Sequence, residues 1–216
     1  IKILDKTKCC GCRACVQVCP VKCISWDIDE EGFRYPLVDK DKCINCGRCE
    51  NVCPQIHLEK RDNNWNEPKV FASYAMDNYI HMDSTSGGVF STLANYFFEQ
   101  GAYVAGAIYD NDFSLKGIIT KNRSLLPQIR SSKYLQNDPH EQYLKIKELL
   151  KSGEKVFICS TPCQIAGLLN FLDKRYDNLY TADFICKGVS SPLLFRKYLG
   201  SLESKYHSKV KNVKFK

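Results

Sequence analysis

Two stretches carry most of the residues able to do chemistry, KCCGCRACVQVCPVKC at 8–23 and KCINCGRCENVCP at 42–54. Cys9, Cys12, Cys15 and Cys19 follow the spacing Cys-x2-Cys-x2-Cys-x3-Cys and lead into Pro20. Cys43, Cys46, Cys49 and Cys53 repeat the grid 34 residues later and lead into Pro54. A closely spaced triplet wraps its thiolates round one iron-sulfur cube, while the fourth cysteine, past the three-residue gap, points away and ligates the other. Cluster I is therefore expected on Cys9, Cys12, Cys15 and Cys53, and cluster II on Cys43, Cys46, Cys49 and Cys19, both of 4Fe-4S type. Cys10 directly follows Cys9 and is expected to point elsewhere, and Cys23 lies past Pro20. Both read as small buried hydrophobes rather than ligands.

Zinc and disulfides are the competing uses of so many thiols. Structural zinc takes two separated Cys-x2-Cys hooks and leaves the third cysteine of each triplet without a role. Disulfides suit poorly a chain with 13 cysteines, an odd number, and an N-terminus without a signal-peptide pattern. No run approaches the roughly 18 apolar residues of a membrane span, so the chain reads as soluble and cytoplasmic, without a membrane partner.

The elements that must position these cysteines are legible from period and punctuation. Ile24, Trp26 and Ile28 alternate, the sequence DEEG at 29–32 turns the chain, and Phe33, Tyr35 and Leu37 answer with the same period, which predicts a hairpin whose aromatic residues shield a cluster or simply cover the small core. Residues 1–58 resemble bacterial-type 2x4Fe-4S ferredoxins over that whole stretch. Residues 59–68, polar and ending at Pro68, read as a linker. Beyond them come a strand-like run at 70–74, a helix from Gly88 to Gln100, and strands near 103–109 and 115–120. A second helix is predicted with Asp138 as N-cap, Pro139 at its first position, Glu141 completing a capping box and Gly153 after its end. A strand at 156–159, a helix at 162–172, a strand near 180–185 and a helix from Pro192 to about Leu202 follow. Such alternation predicts an α/β domain with a mostly parallel sheet, in a chain of 216 residues and 44% hydrophobic content, enough for one full domain and a small one.

Three loops of this second part carry chemistry. Ser84, Thr85, Ser86, Gly87 and Gly88 precede a helix whose Val89, Phe90, Leu93, Phe97 and Phe98 form an apolar face. Free amides, hydroxyls and glycines there suit a phosphate, although a capped helix with a glycine turn has the same residues. Arg130, Ser131, Ser132, Lys133 and Tyr134 combine two cations, two hydroxyls and a ring, suited to a pyrophosphate clamp or to a solvated loop. Thr161 and Gln164 read as a capping box with Pro162 at the first helical position. Cys163 sits in the first turn, where the helix dipole favours a thiolate, either nucleophile or metal ligand. Cys186 ends the next strand and lies beside it if the two strands are neighbours.

Taken as an ordered set, Ser86-Gly87-Gly88-Val89, Ser132-Lys133-Tyr134, Thr161-Pro162-Cys163-Gln164 and Asp183-Phe184-Ile185-Cys186 resemble the beta subunits of coenzyme F420-reducing hydrogenases and dehydrogenases and their bacterial relatives, over residues 70–216. The resemblance implies an α+β chain in which a ferredoxin-like domain (1–58) and the linker are followed by a C-terminally incomplete α/β flavin-binding domain (69–216). It implies FAD against Ser86, Gly87, Gly88, Ser132, Lys133 and Tyr134, and a third 4Fe-4S cluster with Cys163 and Cys186 as two of its ligands. The family's remaining ligands come from a Cys-x2-Cys pair further along, and no cysteine follows Cys186 here. The hydrogenase subunits lack the N-terminal ferredoxin, which bacterial relatives carry fused, so the organic acceptor need not be F420.

The implied function is an iron-sulfur flavoprotein oxidoreductase in which clusters exchange single electrons with FAD and FAD exchanges hydride with an organic acceptor. The alternative is a non-catalytic ferredoxin-like electron-transfer subunit of a larger complex. Residues 1–58 hold 9 basic against 8 acidic side chains and the remainder 22 against 16, so a cluster-loaded acidic half and a basic flavin half suit attraction to each other or to a ferredoxin or other redox partner protein. The lysine-rich tail at 205–216 reads as a solvated face and not as a nucleic-acid site. His57, His81, His140 and His207 are scattered and read as surface residues, so no catalytic residue is assigned.

Overall fold

A computed structural model describes residues 6–57, 68–172 and 174–215. A short helix α1 (Ala14–Val18) leads into the antiparallel hairpin β1 (Ile24–Ile28) and β2 (Arg34–Val38), and α2 (Arg48–Asn51) follows. The 34-residue sequence repeat is also a repeat of backbone conformation. Gly11 and Asn45 take φ of 66° and 52°, Arg13 and Gly47 take 63° and 71°, and each pair is followed by a short helix. Left-handed residues on either side of the second cysteine curl each loop so that its first three thiols face one centre.

The second unit begins with α3 (Asn78–Asp83) and α4 (Val89–Glu99), followed by β3 (Tyr103–Tyr109) and β4 (Leu115–Thr120). Helix α5 (Leu126–Ile129), strand β5 (Asn137–Asp138) and helix α6 (Gln142–Lys151) come next, and β6 (Val156–Ser160), α7 (Pro162–Leu172), β7 (Leu179–Asp183) and α8 (Pro192–Tyr206) complete it. The five strands form one sheet in the order β5-β4-β3-β6-β7, parallel except for the β3–β4 hairpin. A mixed α+β architecture with a mostly parallel sheet is thus present. Among the described residues no helix is long and apolar enough to cross a membrane.

Four local expectations fail for identifiable reasons. Residues 70–74 form no strand: Val70, Phe71 and Tyr74 are exposed and pair with no neighbour in a sheet. On α4 the buried stripe is Ser91, Ala94 and Phe97, with Phe90 and Phe98 partly covered, while Val89 and Leu93 face outward. Helix α6 starts at Gln142, because Asp138 is spent on β5 and on ion pairs and His140 takes a φ of 44°. Its cap comes from far away in the chain: Gln17 Oε1 accepts the Tyr143 N–H at 2.9 Å. The α7 capping box is also unmade, since Gln164 Oε1 accepts from Ser160 and Asn137 instead. The linker expected at 59–68 lies, but for Pro68, outside the described residues.

The two units share one core. Cys12 and Ala14 pack with Tyr143, Ile146, Ile165, Leu168 and Phe171, and Tyr143, fully buried, places its phenol between Cys12 O at 2.8 Å and Gln164 O at 3.0 Å. One phenolic hydrogen serves two carbonyls, so Tyr143→Phe should lower stability by about 1 kcal/mol, measurable as a shifted denaturation midpoint with the slope unchanged.

Candidate metal centres and the neighbouring loops

The interlocked assignment of thiols can be read against two cavities. One is lined by Cys9, Cys12, Cys15 and Cys53, together with Cys10, Arg13, Trp26, Pro36 and Gln55. The other is lined by Cys43, Cys46, Cys49 and Cys19, together with Cys23, Ile24 and Arg48. Each cavity thus collects three cysteines of one motif and the fourth of the other. Cys49 lines both, so the two sets meet at a shared wall. Trp26 and Pro36 put the hairpin at the wall of the first cavity. Among the described residues no three Cys, His, Asp or Glu side chains converge tightly enough to hold a single ion. The sets are arranged round a space instead.

The donor sets fit 4Fe-4S cubes chemically. Burial, followed by the charges of Cys9, Cys53 and Cys49, pushes the Cys15 thiol up to about 12, and burial likewise raises Cys9. Thiols crowded in this way keep their protons until a cationic centre takes up the charge, and binding then releases the protons. The first cavity lies against the second unit. A Cβ on Gly167 of α7 would come 3.0 Å from Cys12 Sγ and 3.4 Å from Ala14 Cβ. Gly167→Val should therefore displace Cys12, cost about 1–3 kcal/mol of overpacking strain, and lower iron bound at cluster I relative to cluster II, a difference that EPR of the reduced protein resolves. The second cavity faces outward: Cys46 is exposed and Ile44 is 60% exposed.

Cys10 does not point away, as sequence position suggested. It lies at the first cavity, hydrogen-bonded to Cys12 and to Cys163, and these contacts lower its thiol while raising those two. The Cys163 thiol also reaches Thr161 Oγ1 at 3.2 Å and Cys10 O at 3.9 Å. Parallel pairing of Ser160 with Asp183 brings the ends of β6 and β7 side by side, so Cys163 and Cys186 leave neighbouring strands. Cys186, by contrast, is exposed and turned toward Gly188 O at 3.7 Å. Cys23 is buried as expected, packed with Ile24, Val16 and Val38, and it also lies against the Cys19 sulfur.

The loops at 84–88 and 130–134 are brought together. The Ser132 N–H donates to Thr85 Oγ1 at 3.0 Å, Ser131 Oγ donates to Asp83 O at 3.1 Å, and buried Arg130 joins Asp83 at 2.7 Å and Ser91 at 2.9 Å. Several residues here are already engaged by the fold. A Cβ on Gly87 would meet Ser73 O at 2.9 Å, and Gly88, with φ of 78°, is packed against Ala75 and Ile80. Lys133 Nζ donates to the carbonyls of Ile129, Arg130 and Ser131 at the end of α5, and burial pulls its ammonium down to about 8. What remains open is exposed Ser86 at the α4 N-terminus and the half-exposed Tyr134 ring, edge-on to Phe215 at 5.3 Å.

Residues 8–56 and, overlapping them, residues 35–87 match family models of the 4Fe-4S dicluster domain. Residues 153–216 match the family model described as the C terminus of the coenzyme F420 hydrogenase/dehydrogenase beta subunit. This last match takes in Cys163 and Cys186 and leaves out the loops at 84–88 and 130–134. No curated protein matches the chain. Among solved structures, the xenon-derivatised F420-reducing [NiFe] hydrogenase complex of Methanosarcina barkeri is 24% identical over 43% of this chain and 32% of that one, with a TM-score of 0.36. The chain thus matches about a third of that protein's length.

Proposed function

We propose that this chain, which joins a 4Fe-4S dicluster domain to a beta-subunit segment of the coenzyme F420 hydrogenase/dehydrogenase family, is an iron-sulfur electron-transfer subunit that carries single electrons between an outside redox protein and its own α/β unit. The single observation that supports this most is that the lining of each of two cavities includes the first three cysteines of one motif and the fourth of the other. When bound, the clusters would each store and release one electron, with potentials set by burial and hydrogen bonding. The chain's own part is to hold both sets at a shared wall through Cys49, to keep water from the first with Trp26 and Pro36, and to turn the second outward. The outer end is then the place for a partner protein, and the inner end abuts Cys163 through Cys10. A chain built on iron-bound thiolates suits a reducing compartment, which supports a cytoplasmic location.

The finer part of the proposal is a flavin. FAD would lie between the paired loops, with Ser86, Gly87 and Gly88 at the α4 N-terminus toward its phosphates and Ser132, Lys133 and Tyr134 on the other side, and would exchange hydride with an organic acceptor. Thr85, Ser131 and Arg130, which tie the two loops together, support it. Cys163 and Cys186 would serve a third 4Fe-4S cluster in a longer protein that supplies further ligands. The engagement of Lys133 and Gly87 by backbone favours the second reading, a ferredoxin-like subunit without flavin. Iron, acid-labile sulfide and flavin analysis of the anaerobically purified full-length protein separates them. About eight or more irons with one FAD supports the oxidoreductase, about eight irons without flavin leaves the electron-transfer subunit, and absence of iron sinks both.

A further inference from the structure

The outward cavity is lined by five cysteines, the expected Cys19, Cys43, Cys46 and Cys49 and, beside them, Cys23. Cys23 is 4% exposed. Its sulfur lies 3.4 Å from that of Cys19, and its backbone N–H points at the Cys19 sulfur, also at 3.4 Å. A specific turn produces this approach. The Lys22 N–H donates to Cys19 O at 3.2 Å and Lys22 takes a φ of 50°, a left-handed conformation that a lysine adopts only at a cost. The turn folds residue 23 back onto residue 19. The second motif has His57 at the equivalent place, four residues past Cys53, so the extra thiol belongs to one cluster and is not a by-product of the repeat.

We propose that Cys23 is an alternative fourth ligand of cluster II, able to take the corner assigned to Cys19; this rests on the two-cluster reading above. Two thiols this close compete for one iron. In the exchange the iron–sulfur bond to Cys19 breaks, the bond to Cys23 forms, and the proton of the Cys23 thiol passes to the Cys19 thiolate, with no change of oxidation state. Cys19 is the more exposed of the pair and Cys23 is buried behind it. A cluster near the partner-facing surface thereby keeps a protected ligand in reserve when the outer thiol is oxidised or alkylated.

The test uses the full-length protein reconstituted anaerobically, with iron and sulfide counted per chain and EPR recorded after reduction. Cys19→Ala and Cys23→Ala should each keep about eight irons, whereas the double variant should fall to about four, as should Cys46→Ala. The EPR signal of cluster II should shift in Cys19→Ala and vanish in the double variant, with the cluster I signal serving as a folding control in every sample. Loss of about half the iron in Cys19→Ala alone overturns the proposal, and so does a double variant that stays fully loaded. A wild-type protein without iron fails earlier, at the two-cluster reading itself.

Discussion

Replacing Cys53 with alanine should remove cluster I, although the three other thiols of that cluster lie about forty residues away in the first motif, and should leave cluster II in place. The iron content is expected to fall from about eight to about four per chain. In the structure, Cys53 lines the cavity of Cys9, Cys12 and Cys15 and is absent from the lining of the other. If each motif instead held its own cluster, Cys53→Ala would erase the cluster nearest the exposed Cys46. EPR distinguishes the outcomes, because the lost signal should be that of the buried cluster against α7. The surviving signal should respond to surface quenchers, since the second cavity faces outward. Loss of the exposed signal with retention of the buried one would refute the interlock. The effect should extend to stability, because Cys12 is part of the core shared by both units and binding at such a site is folding free energy.

Much of the ferredoxin-like unit was legible because its determinants are local. Spacing of cysteines, a period-two hairpin and a tight acidic turn each operate within about ten residues, and β1 and β2 end within a residue of the predicted runs. Strands β3 and β4 and helix α7 were legible for the same reason. What escaped the sequence depends on residues distant along the chain. Asp138 looked like an N-cap because aspartate followed by proline usually is one, yet its carboxylate is claimed by Arg13 and Arg34 from the other unit. The cap of α6 is Gln17, more than a hundred residues earlier, and no local pattern announces it.

The cysteines show the same division. The eight in the grid were identifiable from spacing, whereas the neighbours of Cys10 and Cys23 were not, since a thiol outside a pattern reads as a small apolar side chain. A left-handed Lys22 two residues before β1 is invisible in composition, and so is the approach of Cys163 to Cys10. The loops at 84–88 and 130–134 were recognised as separate candidates. Their meeting through Thr85 and Ser132 required the antiparallel turn of β3 into β4, which places α5 next to the start of α4.

The largest loss of stability from a change outside the thiols is expected at Asp138→Ala. This carboxylate is 5% exposed and carries two ion pairs across the interface, one to Arg13 and one to Arg34 at 3.1 Å, and it also accepts the His140 N–H at 2.9 Å. Removing it strands two guanidinium groups that are themselves mostly covered, with side chains 17% and 23% exposed. A buried pair broken on one side costs about 3–5 kcal/mol; with the arginines partly reached by water the lower end, about 3 kcal/mol, is expected. Arg13 sits between Cys12 and Cys15 in the first cysteine loop and stacks over Trp26 at 5.6 Å, so a freed Arg13 also loosens the wall of the first cavity. The variant should melt several degrees lower than wild type and become sensitive to proteolysis between the units, while the outward cavity keeps its iron. Asp138→Asn, which retains a neutral acceptor, should recover part of the loss. If both variants melt with the wild type, the carboxylate does not hold the two units together, and their contact rests on the apolar core and the remaining hydrogen bonds between them, among them those of Tyr143, Gln17, Asn170 to Val52 O and Gln136 to the Arg34 backbone.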